Sequence, residues 1–445
     1  MYNTKDNIVA LATAPGKSAI SVVRCSGPGC LDLYLKLFNK KKHPTPNYVS
    51  LQTLYYKGRA VDQMMVTFFK KPKSFTGQNL IEFSSHGGNV VAQKLLLIIQ
   101  EEGFRLALPG EFSYRAFVGG KIDLVQAEAI GSIIDANNQL DTMYAMNNLR
   151  GSFSNEVLKH SKNIEKIITF IEHELDFDEG EIDFVNINQY AEKITLISNE
   201  IQNTLKKSFL SNKKNSGLSV VLVGNPNVGK SSLFNHLLGY ERSIVTNTRG
   251  TTRDTVEVEL LVNDFGITLI DTAGIRKTNK TIEKKGISRT YNAIKAADII
   301  LFVDINNPKK EAIKYSSLLK NKKIIYVQNK IDIIKECKDK EVNSISVKKN
   351  IGLKKLFTLL LTVFKEKNDL FIKNNLYLIN IRQRDCLESS LKSLKSSLLA
   401  LNKTEDLVIF VSNLRMSLEH LGSLVSPKDN DKIINNIFKG FCVGK

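Results

Sequence analysis

Apolar residues recur with a helical period in two parts of this chain. In residues 124 to about 210 they fall at three- and four-residue steps, as in Ile164, Ile167, Ile168 and Ile171, and the same rhythm returns from Leu387 onward. Such spacing places apolar side chains on one face of a helix, and each face needs a partner. We therefore predict one helical bundle whose chain is interrupted by the segment between the two stretches.

The first part of the chain has a different pattern. Short β-rich stretches are separated by glycine and proline, and the predicted strands include residues 19–23, 49–56, 64–69 and 79–83. This pattern favours a small α+β domain over residues 1 to about 118.

The interrupting segment contains a phosphate-binding pattern. An apolar run at 220–223 leads into G-N-P-N-V-G-K-S-S at 224–232 and then into an amphipathic run. A buried strand, a glycine turn and a helix in this order are the context of a P-loop, in which Lys230 would contact the β- and γ-phosphates and Ser231 would bind Mg²⁺. The residues of this loop expected to contact a nucleoside triphosphate are Asn227, Val228, Gly229, Lys230, Ser231 and Ser232.

Two further stretches fit the phosphate side of such a site. Predicted strands at 256–262 and 265–270 lead to D-T-A-G, where Asp271 at a strand tip would hold Mg²⁺ through water. The polar stretch before them lies where switch I belongs, and a threonine there completes the Mg²⁺ shell while the γ-phosphate is present. The expected contacts are Thr246, Asn247, Thr248, Arg249, Gly250, Thr251, Thr252, Asp271, Thr272, Ala273 and Gly274.

The base of the nucleotide is indicated by N-K-I-D at 329–332, which resembles the guanine-reading motif of translation-factor-class GTPases. Asp332 can accept hydrogen bonds from guanine N1–H and the 2-amino group, an arrangement that adenine lacks. S-V-K at 346–348 resembles the second base-contacting loop, with valine in place of the usual alanine. We therefore predict GTP rather than ATP, bound on its base side by Asn329, Lys330, Asp332, Ser346, Val347 and Lys348.

The hydrolytic parts of the pattern are incomplete. Ras-like enzymes place a water-orienting glutamine after D-x-x-G, but this chain has Ile275, which cannot hydrogen-bond a water. No intrinsic arginine finger is evident, although Arg249, Arg253 and Arg276 are nearby. Hydrolysis must therefore recruit its water-orienting group and its charge stabiliser from elsewhere.

Composition limits the remaining possibilities. No apolar run approaches the ~20 residues that span a bilayer, no signal sequence is evident, and the five cysteines form no C-x-x-C pair, so we expect a soluble, cytosolic protein. The net charge of +18 suggests a polyanionic partner such as nucleic acid. However, lysines are spread along the chain together with abundant asparagine and isoleucine, as AT-rich coding would produce without selection for binding.

The length of 445 residues implies two or three domains. We expect an N-terminal α+β domain at 1–118, a first helical part at 119–216, a GTP-binding domain at 217–370 and a second helical part at 371–445. The polar stretch at 211–217 is typical of a linker. The predicted fold class is thus multidomain, α/β with all-α.

At this point nearly the whole chain resembles the MnmE (TrmE) family of GTPases, which modify the wobble uridine of bacterial tRNA. The resemblance rests on D-N-I-V-A-L-A-T-A-P-G at 6–16, V-V-R-C-S-G-P at 22–28, L-P-G-E-F-S-Y-R-A-F at 108–117, G-K-I-D-L at 120–124 and the ending F-C-V-G-K. It implies an N-terminal α+β domain that dimerises and binds folate, a discontinuous helical bundle and an inserted Ras-like P-loop G domain.

The resemblance also implies ligands and roles. A one-carbon donor such as 5-formyl- or 5,10-methylene-tetrahydrofolate would be bound by Arg24, Glu82, Lys121 and Lys445. K⁺ would replace an arginine finger when two G domains pair, held by Asn227, Thr246, Thr248 and Thr251. Mg²⁺ would be held by Ser231 and Thr252. The residues implied in catalysis are Lys230, Asp271, the water-aligning Glu283 and the cysteine Cys442.

The partner implied by the family is the FAD-dependent protein MnmG, in a heterotetramer built on the homodimer. Together they would add an aminomethyl or carboxymethylaminomethyl group at C5 of uridine 34 of tRNA. The competing interpretation is an Era- or Der-like regulatory GTPase in ribosome assembly. It predicts an RNA-binding KH-type tail, whereas this chain continues as leucine-striped helices to Cys-Val-Gly-Lys.

Overall fold

The computed structural model describes residues 2–136, 139–175, 187–210, 218–238, 243–245, 256–262, 265–271, 294–295, 297–319, 322–374, 377–404, 406–426 and 431–444. The chain divides into two compact units. Unit 1 contains Met1–Gly131, Asn147–Ile201 and Asp385–Lys445, and unit 2 contains Ser132–Met146 and Gln202–Arg384. Within the described ranges, no helix is long and apolar enough to cross a membrane.

Unit 1 begins with a six-stranded sheet in the order β3-β4-β5-β2-β1-β6. Its pairings are antiparallel except that β1 and β6 run parallel. The four predicted strands are confirmed, and β4 begins earlier than expected. The elements are β1 (Ile8–Leu11), β2 (Ile20–Ser26), α1 (Cys30–Leu37), β3 (Val49–Tyr56), β4 (Arg59–Phe69), β5 (Leu80–His86), α2 (Asn89–Glu101), β6 (Arg105–Leu106) and α3 (Glu111–Val118).

The two faces of this sheet have different environments. On one face, alternate residues such as Val23 and Phe83 form a core with apolar residues of α1 and α2. On the other face, Phe112 of α3 packs against Ile8 and Ala10 of β1, and its ring lies 5.8 Å from the Arg24 guanidinium of β2. The rest of that face, here called the open sheet face, presents apolar side chains with 47–58% exposure at Ile20, Val49, Leu51 and Met65.

Helices follow this sheet as the apolar stripes predict. They are α4 (Leu124–Ile134), α5 (Gln139–Leu149), α6 (Ser152–Leu175) and α7 (Ile187–Lys206). The stripe residues Ile164 and Ile171 of α6 and Ile194 and Ile201 of α7 are all buried. The stripes are therefore core positions, as expected.

Unit 2 contains a seven-stranded sheet in the order β14-β13-β12-β8-β11-β10-β9. Strands β14, β13, β12, β8 and β11 are parallel, and β10 is antiparallel to both of its neighbours. The described elements are β7 (Ser208–Leu210), β8 (Leu218–Val223), α8 (Lys230–Leu238), β9 (Ser243–Val245), β10 (Val256–Val262), β11 (Phe265–Asp271), β12 (Ile299–Asp304), α9 (Pro308–Ala312), α10 (Ser316–Leu319), β13 (Lys323–Gln328), β14 (Val342–Ser344), α11 (Leu353–Asn374) and β15 (Tyr377–Ile379).

One sequence expectation is wrong at residues 208–210, which were expected to continue the helical stretch. They form β7, which pairs in parallel with β15 in a separate two-stranded sheet. The partner strand lies far along the chain, so local periodicity could not reveal this pairing.

The chain ends in α12 (Ile381–Thr404), α13 (Leu407–Val425) and α14 (Asp431–Lys439). Within unit 1, α13 packs along α6, and Arg415 pairs with Glu172. Phe438 of α14 packs with Leu124 of α4 and lies edge-on to Tyr114 of α3. Helices from before and after the GTP-binding motifs thus share one core.

Candidate functional site: a phosphate and base-binding edge

The predicted nucleotide motifs meet at one edge of the unit 2 sheet. The P-loop follows β8, Asp271 ends β11, N-K-I-D follows β13 and S-V-K follows β14. These strands are parallel, so their carboxyl ends lie at the same edge. The chain also reverses its direction of winding at β8, between β12 and β11, which is where open α/β sheets bind ligands.

The two P-loop glycines are required by close backbone approach. Gly224 has φ +152°, and a Cβ there would lie 1.9 Å from the Val303 carbonyl oxygen. Gly229 has φ +96°, and its Cβ would lie 2.2 Å from Nδ2 of Asn329. Any larger residue would push the P-loop away from β12 or from the N-K-I-D loop after β13, here called the base-binding loop.

Lys230 is buried at the start of α8, with 6% of its surface exposed. Its Nζ donates to the carbonyl oxygens of Gly224 at 2.9 Å and Asn225 at 2.7 Å. The ammonium group is therefore held inside the loop, where helix N–H groups and the helix dipole favour an anion. Ser231 and Ser232 follow in the first turn of α8 and are exposed.

The base-binding loop is tied directly to the P-loop. Nδ2 of Asn329 donates to the Val228 carbonyl at 2.9 Å, and Nζ of Lys330 donates to the Asn227 carbonyl at 2.8 Å. Asn227 itself adopts φ +63°, a left-handed conformation that asparagine tolerates. These bonds set the distance between the parts that would hold phosphates and base.

Asp332 is prepared to accept hydrogen bonds. The Ser346 hydroxyl donates to its Oδ1 at 2.6 Å, and this bond is the main reason that the pKa of Asp332 is lowered, with a smaller contribution from the charge of Lys348. The Val347 N–H points to Oδ1 of Asn329 at 3.3 Å. A charged carboxylate held in this way matches the donor edge of guanine.

Gln328 is a positioning residue that sequence reasoning missed. Its side chain is buried and donates to the carbonyls of Ile305 at 3.0 Å and Lys335 at 3.1 Å. Its Oε1 accepts from the Cys337 N–H at 2.7 Å and from the Ser344 hydroxyl at 3.3 Å. One side-chain amide thus joins three segments, which are the loop after β12, the loop after N-K-I-D, and β14. Only the fold reveals that these segments meet at Gln328.

The predicted folate residues Arg24, Glu82 and Lys121 lie in unit 1, with Arg24 and Glu82 on the side of the sheet that carries the open sheet face. Arg24 of β2 and Glu82 of β5 are cross-strand partners, and Nε of Arg24 donates to Oε1 of Glu82 at 2.8 Å. The guanidinium also donates to the Gly444 carbonyl at 3.2 Å and lies 5.9 Å from the ring of Phe75. Lys121 lies against Gly77, in the same β4–β5 loop as Phe75.

The last described residues bring Cys442 to this region. The Gly110 N–H donates to the Cys442 carbonyl at 3.3 Å, and two residues later Gly444 meets Arg24. The Cys442 side chain is exposed. Arg24, Glu82 and the backbone around Cys442 therefore lie in one neighbourhood, from opposite ends of the sequence.

A buried charge network anchors α3 beside this neighbourhood. Glu111 accepts from both Nη atoms of Arg105, at 2.8 and 2.6 Å, and from Nη2 of Arg115 at 3.0 Å. Burial alone would raise the pKa of Glu111, but the bonds from Arg105, Leu108 N–H and Arg115 outweigh it and lower that pKa. Arg115 also donates to Gln78 at 2.8 Å.

Several predicted site residues lie outside the described residues. They are Thr246, Asn247, Thr248, Arg249, Gly250, Thr251, Thr252, Thr272, Ala273, Gly274, Ile275, Glu283 and Lys445, and for Asp271 only the backbone is described. In the described part of the chain, no group of three or more His, Cys, Asp or Glu side chains is arranged to hold a metal ion.

The sheet, the P-loop and the tied base-binding loop define the class of the protein, a P-loop GTPase. A family model described as GTP-binding protein TrmE N-terminus matches residues 7–121, and one described as MnmE helical domain matches residues 124–442. The tRNA modification GTPase MnmE of Thermotoga maritima is 34% identical over 454 residues, covering 99% of this chain and 100% of the relative. The chain belongs to the MnmE (TrmE) family.

Other relatives agree. The tRNA modification GTPase MnmE of Flavobacterium johnsoniae is 34% identical, covering 99% of both chains. That of Cytophaga hutchinsonii is also 34% identical, covering 100% of this chain and 98% of the relative. These matches confirm the resemblance recognised from the short motifs.

Proposed function

We propose that this protein hydrolyses GTP while it modifies C5 of uridine 34 in tRNA. It would act as a homodimer with the FAD-dependent protein MnmG and transfer a one-carbon unit from tetrahydrofolate, giving an aminomethyl or carboxymethylaminomethyl group. The observation that carries the proposal is the pair of bonds from Asn329 and Lys330 to the P-loop, in a chain whose relatives are tRNA modification GTPases.

The nucleotide roles follow from the described geometry. Lys230 would move its ammonium group from the carbonyls of Gly224 and Asn225 to the β- and γ-phosphate oxygens, since these anions are stronger acceptors. Asp332 would read the guanine edge, held by Ser346. Further contacts would come from Val228, Gly229, Ser231 and Ser232 on the phosphate side and from Val347 and Lys348 on the base side.

The metal roles rest on the donor types of this chain. Hydroxyls of Ser231 and Thr252, with Asp271 through water, suit Mg²⁺, which supplies positive charge to the phosphates. Oxygens of Asn227, Thr246, Thr248 and Thr251 would hold K⁺, which supplies the charge of an absent arginine finger. Glu283 would align the attacking water.

The folate role rests on the neighbourhood of Arg24. The Glu82 carboxylate can accept from the donor edge of a pterin, while Arg24, Lys121 and Lys445 can pair with carboxylates of the glutamate tail. The Arg24 guanidinium already lies near two aromatic rings, 5.9 Å from Phe75 and 5.8 Å from Phe112. Cys442 would act near the same ligand.

The domain arrangement belongs to the same proposal. An α+β folate domain at 1–118 and a helical bundle at 119–216 and 371–445 would carry a G domain inserted at 217–370. Packing of α6 with α13 supports the bundle, and so does a helical family model that extends from 124 to 442. The open sheet face would be covered by a second copy, because monomers rarely leave large apolar patches in water.

Two measurements test the function. GTP hydrolysis should be markedly faster in KCl than in NaCl at equal ionic strength, and equal rates would exclude the K⁺-assisted mechanism. Mass spectrometry of tRNA from a deletion strain should show loss of the C5 group on uridine 34. Wild-type protein should restore it, and Asp332→Asn should not; unchanged modification in the deletion strain would reject the proposal.

A further inference from the structure

Two loops that adjoin one end of the unit 1 sheet carry exposed lysines. The first loop joins α1 to β3 and contains Lys40, Lys41 and Lys42. The second follows β4 and contains Lys70, Lys71 and Lys73. All six side chains are exposed, and no ion pair to another described residue is found for any of them.

One backbone hydrogen bond ties the end of the first loop to β4, just before the second loop begins. The Asn47 N–H, at the end of the first loop, donates to the Phe68 carbonyl of β4 at 2.8 Å, two residues before Lys70. The second loop is fixed by the Lys73 N–H, which donates to the Lys70 carbonyl at 2.9 Å, and by the Lys71 N–H, which donates to Oδ1 of Asn79 at 3.0 Å. The first loop is therefore tied to the end of β4 from which the second loop starts, and the six lysines of the two loops are here called the lysine surface.

Acidic residues are rare in the sequence around the lysine surface. Between Asp32 and Glu82 the only acidic residue is Asp62, whose side chain is 8% exposed and hydrogen-bonded to His86. The positive charge of the lysine surface is thus not neutralised by neighbours on its own loops. The even spread of lysines along the whole sequence does not reveal this local excess of positive charge.

An exposed aromatic ring lies within the same surface. Tyr48 is 65% exposed, directly after Asn47 and beside the β4 end. An aromatic ring among lysines suits unpaired nucleotides, because the ring stacks on a base while the lysines contact phosphates. The helix before the first loop, α1, buries its apolar face in the core and leaves none to insert into a membrane, so an anionic lipid surface fits these loops less well.

The lysine surface also leads to the neighbourhood of Arg24. Lys73 is followed two residues later by Phe75, whose ring lies 5.9 Å from the Arg24 guanidinium. A nucleic acid bound along these loops would therefore pass next to the proposed one-carbon site. We propose that the lysine surface binds the phosphate backbone of a single-stranded RNA loop and that Tyr48 stacks on one of its bases.

This inference rests on the proposed function for the identity of the RNA, an anticodon loop with uridine 34. The test measures binding of full-length protein to an anticodon stem-loop by fluorescence anisotropy over a KCl series. Two variants remove charge, Lys40→Gln/Lys41→Gln/Lys42→Gln and Lys70→Gln/Lys71→Gln/Lys73→Gln. The matched control Lys162→Gln/Lys392→Gln/Lys395→Gln removes equal charge from exposed positions on α6 and α12.

Each test variant should weaken binding by about ten-fold and reduce the slope of log K against log salt by about 2, because each lost phosphate contact contributes ~0.7. The control should bind like wild type. Tyr48→Ala should weaken binding by about ten-fold without changing the slope, and Tyr48→Phe should bind normally. Circular dichroism checks that every variant is folded.

Wild-type affinity and slope in both lysine variants would overturn the proposal. So would an equal loss in the control, which would show that only total charge matters. A parallel assay measures binding to vesicles of equal parts phosphatidylglycerol and phosphatidylcholine. If the lysine variants lose vesicle binding but keep RNA binding, the surface is assigned to lipid and the proposal is overturned. If uridine 34 stays modified in the deletion strain while the lysine variants lose RNA, the proposed function fails and the lysine surface stands.

Discussion

Single side chains at the nucleotide site join loops that are far apart in the chain. Asn329 and Lys330 hold the P-loop, and Gln328 beside them holds the loops that present the guanine-reading residues. Substitutions of these residues should therefore weaken nucleotide binding without an equal loss of global stability. Two substitutions at this scale test that expectation.

Gly229→Ala should abolish measurable GTP binding while leaving the protein folded. A Cβ at this position would lie 2.2 Å from Nδ2 of Asn329, and φ +96° is strained for alanine, so the bond from Asn329 to the P-loop should break. Isothermal titration with GDP and GTP measures the effect. Gly422→Ala in α13 is the control, because nothing lies within 4 Å of its Cβ, and it should bind normally.

Gln328→Leu should weaken GTP binding by about ten-fold and reduce discrimination between GTP and ITP, which lacks the 2-amino group. The substitution leaves buried N–H and carbonyl groups unpaired at a cost of about 1–3 kcal/mol, and it frees the base-binding loops. The readout is the ratio of the two dissociation constants. The control is Gln383→Leu, which replaces another buried glutamine and should lower stability without changing that ratio.

At the scale of elements, α3 depends on charge rather than on apolar packing alone. Its Glu111 and Arg115 are fully buried and lie one helical turn apart, and Arg105 of β6 completes the network. The helix thereby fixes the backbone at Gly110, which bonds to Cys442. Disturbing the network should therefore loosen the proposed folate site as well as α3.

Glu111→Gln should lower the free energy of unfolding by about 3–5 kcal/mol, because it leaves two arginines facing a neutral amide. Urea unfolding measures this, with Glu102→Gln as the control, since Glu102 pairs with the exposed Lys36 and should cost under ~1 kcal/mol. Equal effects would contradict the assignment of the network.

The lowered pKa of Glu111 also predicts a pH dependence. The stabilisation from this carboxylate is complete above its usual pKa of 4.5 and is lost as pH falls through the lower folded value. Wild type should therefore lose stability in that acid window more steeply than Glu111→Gln. Parallel stability curves for the two proteins below pH 4.5 would contradict this.

For the molecule as a whole, the open sheet face is an apolar surface of unit 1 that needs a cover. Leu51 and Met65 face each other across β3 and β4 on that face, and Arg24 and Glu82 lie on the same side of the sheet. A second copy there would place the proposed folate residues near the interface. Dimerisation and folate binding should then be linked.

Leu51→Lys/Met65→Lys should therefore shift the protein from dimer to monomer and weaken binding of 5-formyl-tetrahydrofolate, because two charges cannot be buried at an apolar interface. Sedimentation velocity and fluorescence titration measure the two effects. Val90→Lys/Leu97→Lys on α2 changes exposed apolar residues elsewhere, 82% and 54% exposed, and should leave the dimer and folate binding unchanged.

Local sequence patterns were enough to predict the striped helices, several strands and the nucleotide motifs. Periodicity found the apolar stripes that are now buried on α6, α7 and α13, and the short motifs identified the family, because these signals are local in the chain. Local signals failed at residues 208–210, where the strand partner lies more than 160 residues away.

Which distant groups meet became known only from the fold. It joined Arg24 to Gly444, Gln328 to Cys337 and Ser344, and the first lysine loop to β4. Sequence spacing carries no information about such contacts, because they depend on strand order and loop geometry. A part of the positive charge therefore gained a location only when the fold tied one lysine-rich loop to the strand from which the other starts.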